Sequence, residues 1–387
     1  DNPGGWDLAQ AGLQTGSSFK VFALVAALEQ DIPLSKTYSS APFQASGGLT
    51  VENSDGESCG TCNLATAMKM SLNTVYYRLM MDLDGGARAV ADAAHRAGVA
   101  ESFGNIEHTL QEANGEPEGG VVLGQYQSRV IDMASAYATL AASGVYHEPH
   151  FVQKVVDAEG QVLYERKTEG KRVFPAKVAD NVSAALEPVA AYSNGNSLYD
   201  SSLGSRPSAA KTGTVQLGDT GQNKDAWMVG YTPQLSTAVW VGTSDGTALT
   251  NYNGASIYGS GLPSSIWKSA MDAALEGKEI KQFPEPESVG GVAGVPYEAP
   301  ATTYAPSQPR RGPSIPNFDI PDQGGDGNLT LAPGVTIPIP GAPRNGGGGG
   351  AGGGNSPGGG DGGGDAGGGD GGDHRAGPLG RHQRGRA

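Results

Sequence analysis

Gly16-Ser17-Ser18-Phe19-Lys20, continued by Val21-Phe22-Ala23-Leu24-Val25-Ala26-Ala27-Leu28, is the stretch that decides the fold. Ala and Leu dominate the run and neither Gly nor Pro interrupts it, which predicts a buried helix reaching about Gln30. Gly16 and Ser17 then stand at the helix entrance, where backbone N–H groups lack intrahelical partners and the dipole favours negative charge. Ser17 and Lys20 are three residues apart, so on a helix they share a face. A serine beside a lysine is a candidate nucleophile and base, provided burial or a second cation keeps the amine neutral. Taken alone, the pair reads first as a solvated Ser-x-x-Lys at a helix end, and only features elsewhere in the chain overturn that.

Outward from that helix the chain divides by composition. Its 387 residues suffice for one large domain or two ordinary ones. Residues 1–283 have globular variety; residues 284–387 turn to Pro, Gly and Asp, with runs such as Gly346–Gly350 and Gly367–Gly369. So few apolar anchors cannot offset the entropy of ordering, and this segment is expected to be a disordered tail. The net charge of −14 belongs almost wholly to the globular part, because from Gly290 onward eight acids face seven arginines. An acidic body without a basic patch argues against a nucleic-acid partner.

Cys59 and Cys62 are the two cysteines, in a loop following Gly, Ser, Asp and Glu. A thioredoxin-like pair would open a helix after a strand, so a small local disulfide is the better reading, and it suits an extracytoplasmic setting. Two cysteines cannot close a zinc site, and neither His147 nor His150 has partners to complete one, so no metal or other cofactor is expected. No stretch is long and apolar enough to span a bilayer, and no signal peptide is visible.

Along the chain, Asp1–Thr15 reads as a polar approach loop, and helices are expected over 64–70, 74–83, 88–97, 133–142, 177–189 and 263–275. Strands are expected over 49–51, 151–156, 161–164, 209–215, 226–231 and 236–242. Ser71-Leu72-Asn73 interrupts the second and third of the helical patterns, counting the Ser17 helix as the first. Helix capping by Ser71 or Asn73 would account for that break by itself. Ala209-Ala210-Lys211-Thr212-Gly213-Thr214-Val215 has strand character, and Gly213 would let a ligand come close to the backbone.

Ser17-x-x-Lys20, Ser71-x-Asn73 and Lys211-Thr212-Gly213, separated by 54 and 140 residues, form a trio that separate capping and turn explanations do not account for together. With Met133-Ala134-Ser135-Ala136-Tyr137-Ala138-Thr139-Leu140-Ala141, Asp225-Ala226-Trp227-Met228-Val229-Gly230-Tyr231-Thr232-Pro233 and Gly261-Leu262-Pro263 through Trp267-Lys268, the trio resembles the transpeptidase domain of class A penicillin-binding proteins, the bifunctional peptidoglycan synthases. The cysteine loop and Pro/Gly-rich tail resemble actinobacterial members. The resemblance covers about residues 1–283 and implies an α+β, β-lactamase/transpeptidase-like fold, with an antiparallel sheet flanked by helices. In that family, sheet strands, a glycosyltransferase domain and a membrane anchor precede the nucleophile helix. The sequence, opening at Asp1 without a Met, therefore reads as N-terminally truncated.

The resemblance also implies roles. Ser17 would be the acylated nucleophile, Lys20 its base, Ser71 the proton shuttle to the leaving amine, and Lys211 the charge that lowers the Lys20 pKa and orients Ser71. Asn73 would hold the substrate backbone, and Thr212 and Thr214, flanking Gly213, its terminal carboxylate. The N–H groups of Ser17 and Thr214 would form an oxyanion hole. The implied reaction is D,D-transpeptidation of peptidoglycan stem peptides, with β-lactams acylating the same serine. A D,D-carboxypeptidase, a β-lactamase-like hydrolase and a non-catalytic penicillin-binding scaffold remain as alternatives. Leu72 stands where a class A β-lactamase has Asp, and no Glu-x-x-x-Asn element supplies a deacylating base. The implied place of work is the cell-wall side of the plasma membrane.

Overall fold

The computed structural model describes residues 7–167 and 169–291, together with the backbone of 328–332 and 335–338. The nucleophile segment forms a 3-10 turn, Gly16–Phe19, running into helix α1, Lys20–Glu29. Every residue from Lys20 to Leu28 is buried, so α1 is apolar all round because it passes through the core. Helices α2, Leu64–Met70, and α3, Asn73–Asp82, meet at the expected break. Helices α4, Gly86–Ala97, α5, Val130–Ala141, α6, Ala176–Tyr192, and α7, Leu262–Leu275, complete the set of α-helices among the described residues.

Three antiparallel strands, Ala209–Gln216, Asn223–Thr232 and Leu235–Gly242, form the main sheet in chain order. Alternation of side chains sends Trp227, Val229 and Tyr231 into the large core around α1 and α5, and Ala210 and Met228 to the opposite face. There Trp267, Met271 and Leu275 of α7 cover them. The fold is thus an antiparallel sheet with helices on both faces, and of its two edges Ala209–Gln216 is the outer strand on the side of the nucleophile turn.

Two expectations need correction. Within the polar approach segment, Leu8–Gln10 is a 3-10 turn and Gly12–Gln14 a strand, paired antiparallel with Gln127–Arg129. Residues 1–6 lie outside the described set. This pairing anchors the chain directly before Ser17, and Trp227 Nε1 reinforces it by donating to the Gln14 carbonyl at 2.7 Å. The second correction concerns the boundary at 284. Asn181 Nδ2 donates to the Glu287 carbonyl at 2.6 Å, and Val289 is buried, so the chain past 283 still packs on α6. Farther on, Asn328–Ala332 and Val335–Pro338 pair as an antiparallel hairpin. The rest of the segment expected to be disordered lies outside the described residues.

No helix among the described residues is long and apolar enough to cross a membrane. Cys59 and Cys62 are joined as a disulfide where the chain passes from the 3-10 turn Ser54–Gly56 into the short strand Thr61–Asn63, which carries Cys62.

Candidate active site

Three separate elements bring their polar residues to one point. The 3-10 turn presents Ser17, whose Oγ lies 2.8 Å from Lys20 Nζ at the start of α1. Lys20 Nζ also donates to the Ser71 carbonyl at 2.5 Å and to Asn73 Oδ1 at 2.7 Å, with Ser71 Oγ at 3.3 Å. From the outer strand, Lys211 Nζ donates to Ser71 Oγ at 2.7 Å and to the Thr212 carbonyl at 3.1 Å. The Ser71 hydroxyl therefore sits between two amines, and the Ser17 hydroxyl beside one of them.

Backbone conformation explains the reach. Ser71 closes α2 in the left-handed region, at φ 62° and ψ 34°, and its N–H bonds back to the carbonyls of Ala67 and Met68. A non-glycine residue there costs on the order of 1–3 kcal/mol, a strain held by the surrounding packing. The capping role open to Asn73 is not what it performs. Leu72 occupies the N-cap, and the Asn73 side chain joins Lys20 to the Glu52 carbonyl, to which its Nδ2 donates at 3.0 Å.

Both lysines are fully buried. Desolvation pushes the Lys20 pKa well below its ordinary value, and the Lys211 charge lowers it further, against a smaller upward pull from Glu57. Lys211 is lowered to about 7, again by burial, with Glu57 opposing. The hydrogen-bond geometry would suit an ammonium, with three N–H groups for Ser17 Oγ, the Ser71 carbonyl and Asn73 Oδ1, and it accommodates the neutral amine that burial favours as well. A neutral amine has two N–H donors and one lone pair; the Ser71 carbonyl and Asn73 Oδ1 take the donors, which leaves the lone pair for the Ser17 hydroxyl proton.

A cleft of about 630 Å³ opens over this cluster, and Ser17, Ser71, Asn73, Thr212 and Thr214 line it. Thr212 and Thr214 alternate with the buried Lys211 and Gly213 along the strand. Gly213 does not line the cleft, and here the sequence reading is corrected. A Cβ at Gly213 would lie 2.2 Å from the Thr15 carbonyl oxygen and 3.1 Å from the Trp227 Cβ. The space that glycine frees is filled by the protein's own nucleophile segment rather than by a ligand. Gly16 is the reciprocal case: its φ is +57° and a Cβ there would come within 2.6 Å of the Thr214 carbonyl oxygen. Gly213→Ala is accordingly expected to destabilise the fold by about 1–3 kcal/mol through overpacking. A drop in melting temperature would go together with slower serine acylation, and an unchanged melting temperature would refute this packing argument.

Sequence reasoning missed several cleft residues. Glu57 lies in the disulfide loop, and its charge reaches both lysines. Tyr258 and Ser260 line the far wall, and between them the Gly259 N–H donates to Thr214 Oγ1 at 3.0 Å. These residues sit in loops with no periodic pattern, so nothing in the sequence marked them. Among the described residues no group of three or more His, Cys, Asp or Glu side chains could hold a metal ion.

A helix-flanked antiparallel sheet with a serine–lysine–serine–lysine cluster beside its outer strand defines a serine acyltransferase of the penicillin-interactive kind. The family model for the penicillin binding protein transpeptidase domain matches residues 5–259, and the chain belongs to that family. Penicillin-binding protein 1A of Mycobacterium tuberculosis is 59% identical over 345 residues, covering 88% of this chain and 40% of that protein. Penicillin-binding protein 1A of Mycolicibacterium smegmatis is 58% identical over 339 residues, covering 86% and 42%. The chain thus spans about two fifths of the length of these relatives. The structure of PonA1 from M. tuberculosis in complex with penicillin V superposes with a TM-score of 0.72 at 63% identity, covering 77% of this chain and 79% of that one. Penicillin-binding protein A from M. tuberculosis, at 22% identity and a TM-score of 0.56, shares the fold.

Proposed function

We propose that this chain is the D,D-transpeptidase domain of a peptidoglycan synthase, cross-linking stem peptides through an acyl-enzyme on Ser17, and that β-lactams acylate the same residue. The observation that carries the reading is the unbroken polar relay Ser17 Oγ–Lys20 Nζ–Ser71 Oγ–Lys211 Nζ, at 2.8, 3.3 and 2.7 Å. Acyl transfer needs a nucleophile, a base, a proton donor for the leaving group and donors for the oxyanion, and this site supplies a candidate for each.

Lys20, neutral through burial, takes the Ser17 proton as Oγ attacks the penultimate D-Ala carbonyl of a donor stem. The backbone N–H groups of Ser17 and Thr214 receive the developing oxyanion. Ser71 passes a proton from the Lys20 side to the departing D-Ala amine, and Lys211 holds the Ser71 hydroxyl in line. Asn73 binds the donor backbone, and Thr212 and Thr214 its terminal carboxylate. The C–N bond breaks and D-Ala leaves. An amine of a second stem then attacks the ester, forming the cross-link and returning the proton to Ser17.

The catalytic domain in this reading includes the segment past 283 that packs on α6, and the protein works outside the plasma membrane, where its substrate lies. Ser17→Ala is expected to abolish labelling by a fluorescent penicillin while the protein stays folded. Incubation of the unaltered protein with stem peptides is expected to yield cross-linked dimer. Trimmed monomer alone would identify a carboxypeptidase, and labelling that persists in Ser17→Ala would contradict the assignment of the nucleophile.

A further inference from the structure

Helix α3 starts at Asn73, yet its N-cap, Leu72, has no side chain able to satisfy the exposed amides of the first turn. The missing acceptor comes from a distant loop. Asn53 Oδ1 accepts from the Thr74 N–H at 3.0 Å, and the single proton of the Thr74 hydroxyl is shared between that oxygen at 3.1 Å and the Ser40 carbonyl at 3.0 Å. The other end of the same amide donates from Nδ2 to the Ser40 carbonyl at 3.0 Å and to the Glu57 carbonyl at 2.8 Å. Asn53 is buried and sits between Glu52, whose carbonyl orients the Asn73 amide, and the disulfide loop. Ser40 closes the network. Its Oγ accepts from the Cys59 N–H at 3.0 Å and its own N–H donates to the Gly60 carbonyl at 2.8 Å.

We propose that Asn53 is a positioning residue for the reacting serine–lysine pair: it caps α3 from outside the helix, ties the 52–60 loop to the helix start, and so fixes the Asn73 amide against Lys20. The inference rests on the serine acyl-transfer reading above. One side chain spans two carbonyls and two donors from three segments, an arrangement that an amide satisfies and a carboxylate or hydroxyl does not. Asn73 Oδ1 in turn takes one of the two Lys20 N–H bonds, so a displaced α3 start would let the base drift from Ser17 Oγ. A misplacement on the order of 1 Å is enough to cost about a hundredfold in rate.

The test is acylation of the whole chain by a fluorescent penicillin, followed in time at several concentrations and pH values. Asn53→Ala is expected to lower the limiting acylation rate at least tenfold while the half-saturating concentration stays within about threefold. The pH of half-maximal rate should also fall. Glu57, whose carbonyl Asn53 holds, favours the charged amine, so a displaced loop weakens that pull and lowers the Lys20 pKa further, with Lys211 the opposing cation. A purely structural role would reduce melting temperature and labelled fraction but leave the rate per competent molecule and the pH midpoint in place; that result overturns the inference. Should Asn53→Ala fail to fold, Thr74→Val is expected to slow acylation several-fold and Thr74→Ser to recover most of it. Equal rates for Thr74→Val and the unaltered protein would likewise overturn it. Failure of the unaltered protein to label at Ser17 would instead strike at the acyl-transfer reading itself.

Discussion

Lys20→Ala lowers the rate of Ser17 acylation by about 10²–10⁴-fold, the range that a positioned general base contributes. Among the described residues Lys20 is the one amine that hydrogen-bonds Ser17 Oγ, at 2.8 Å, and its burial removes the solvation that would otherwise keep it charged. Lys20→Arg is expected to fail equally, because a guanidinium stays protonated at any accessible pH and has no lone pair to offer. In the unaltered protein the rate climbs with pH as Lys20 deprotonates. Its midpoint falls well below that of an ordinary lysine, because desolvation and Lys211 both disfavour the ammonium. A stopped-flow pH profile of penicillin acylation checks this. Acylation by Lys20→Arg at near-normal rate would remove Lys20 from the role of base.

Lys211→Met gives the second large effect, and it separates activity from stability. Loss of the Nζ contact to Ser71 Oγ at 2.7 Å should slow acylation by about a hundredfold, the cost of losing a group that orients a proton relay. Stability should move the other way. The folded pKa of Lys211 is about 7, whereas an unfolded lysine titrates near 10.4. Between these values the unfolded chain binds a proton that the folded chain does not, so stability rises with pH across that window. Below pH 7 the full cost of burying the charge, on the order of several kcal/mol, is present. Removing the amine removes that cost. Lys211→Met should therefore melt at or above the temperature of the parent at pH 7, with a flatter pH dependence from 7 to 10. Thermal melts at pH 7, 8 and 9 measure both quantities, and a variant markedly less stable than the parent at pH 7 would contradict this account of Lys211.

The elements easiest to read in the sequence were those with strong local pattern. Leu64–Met70 ends where Ser71 breaks the helical run, and Ala209–Gln216 carries alternating burial from Lys211 to Val215, so both stood out from residue types alone. The site was harder. Nothing local brings Ser17, Ser71 and Lys211 together, and only resemblance to a family suggested that they converge; the structure places their polar atoms in one cluster. Gly12–Gln14 escaped notice because three residues are too few to show a period and their partner strand lies more than a hundred residues away. Gly213 in sequence suggests room for a ligand, whereas the space receives Thr15, a contact that exists only after the sheet and the nucleophile turn have packed. Asn53 and Glu57 stand in a loop of Ser, Asp, Glu and Gly where polarity is the default, so position rather than composition sets them apart.

All of this depends on the hydroxyl of Ser17 being the atom that the relay activates. Peptide mapping by mass spectrometry after brief exposure to penicillin addresses that directly. The account predicts one covalent adduct per chain, on the peptide bearing Ser17 and nowhere else. An adduct on Ser71, or a chain that is folded and left unmodified, would contradict it.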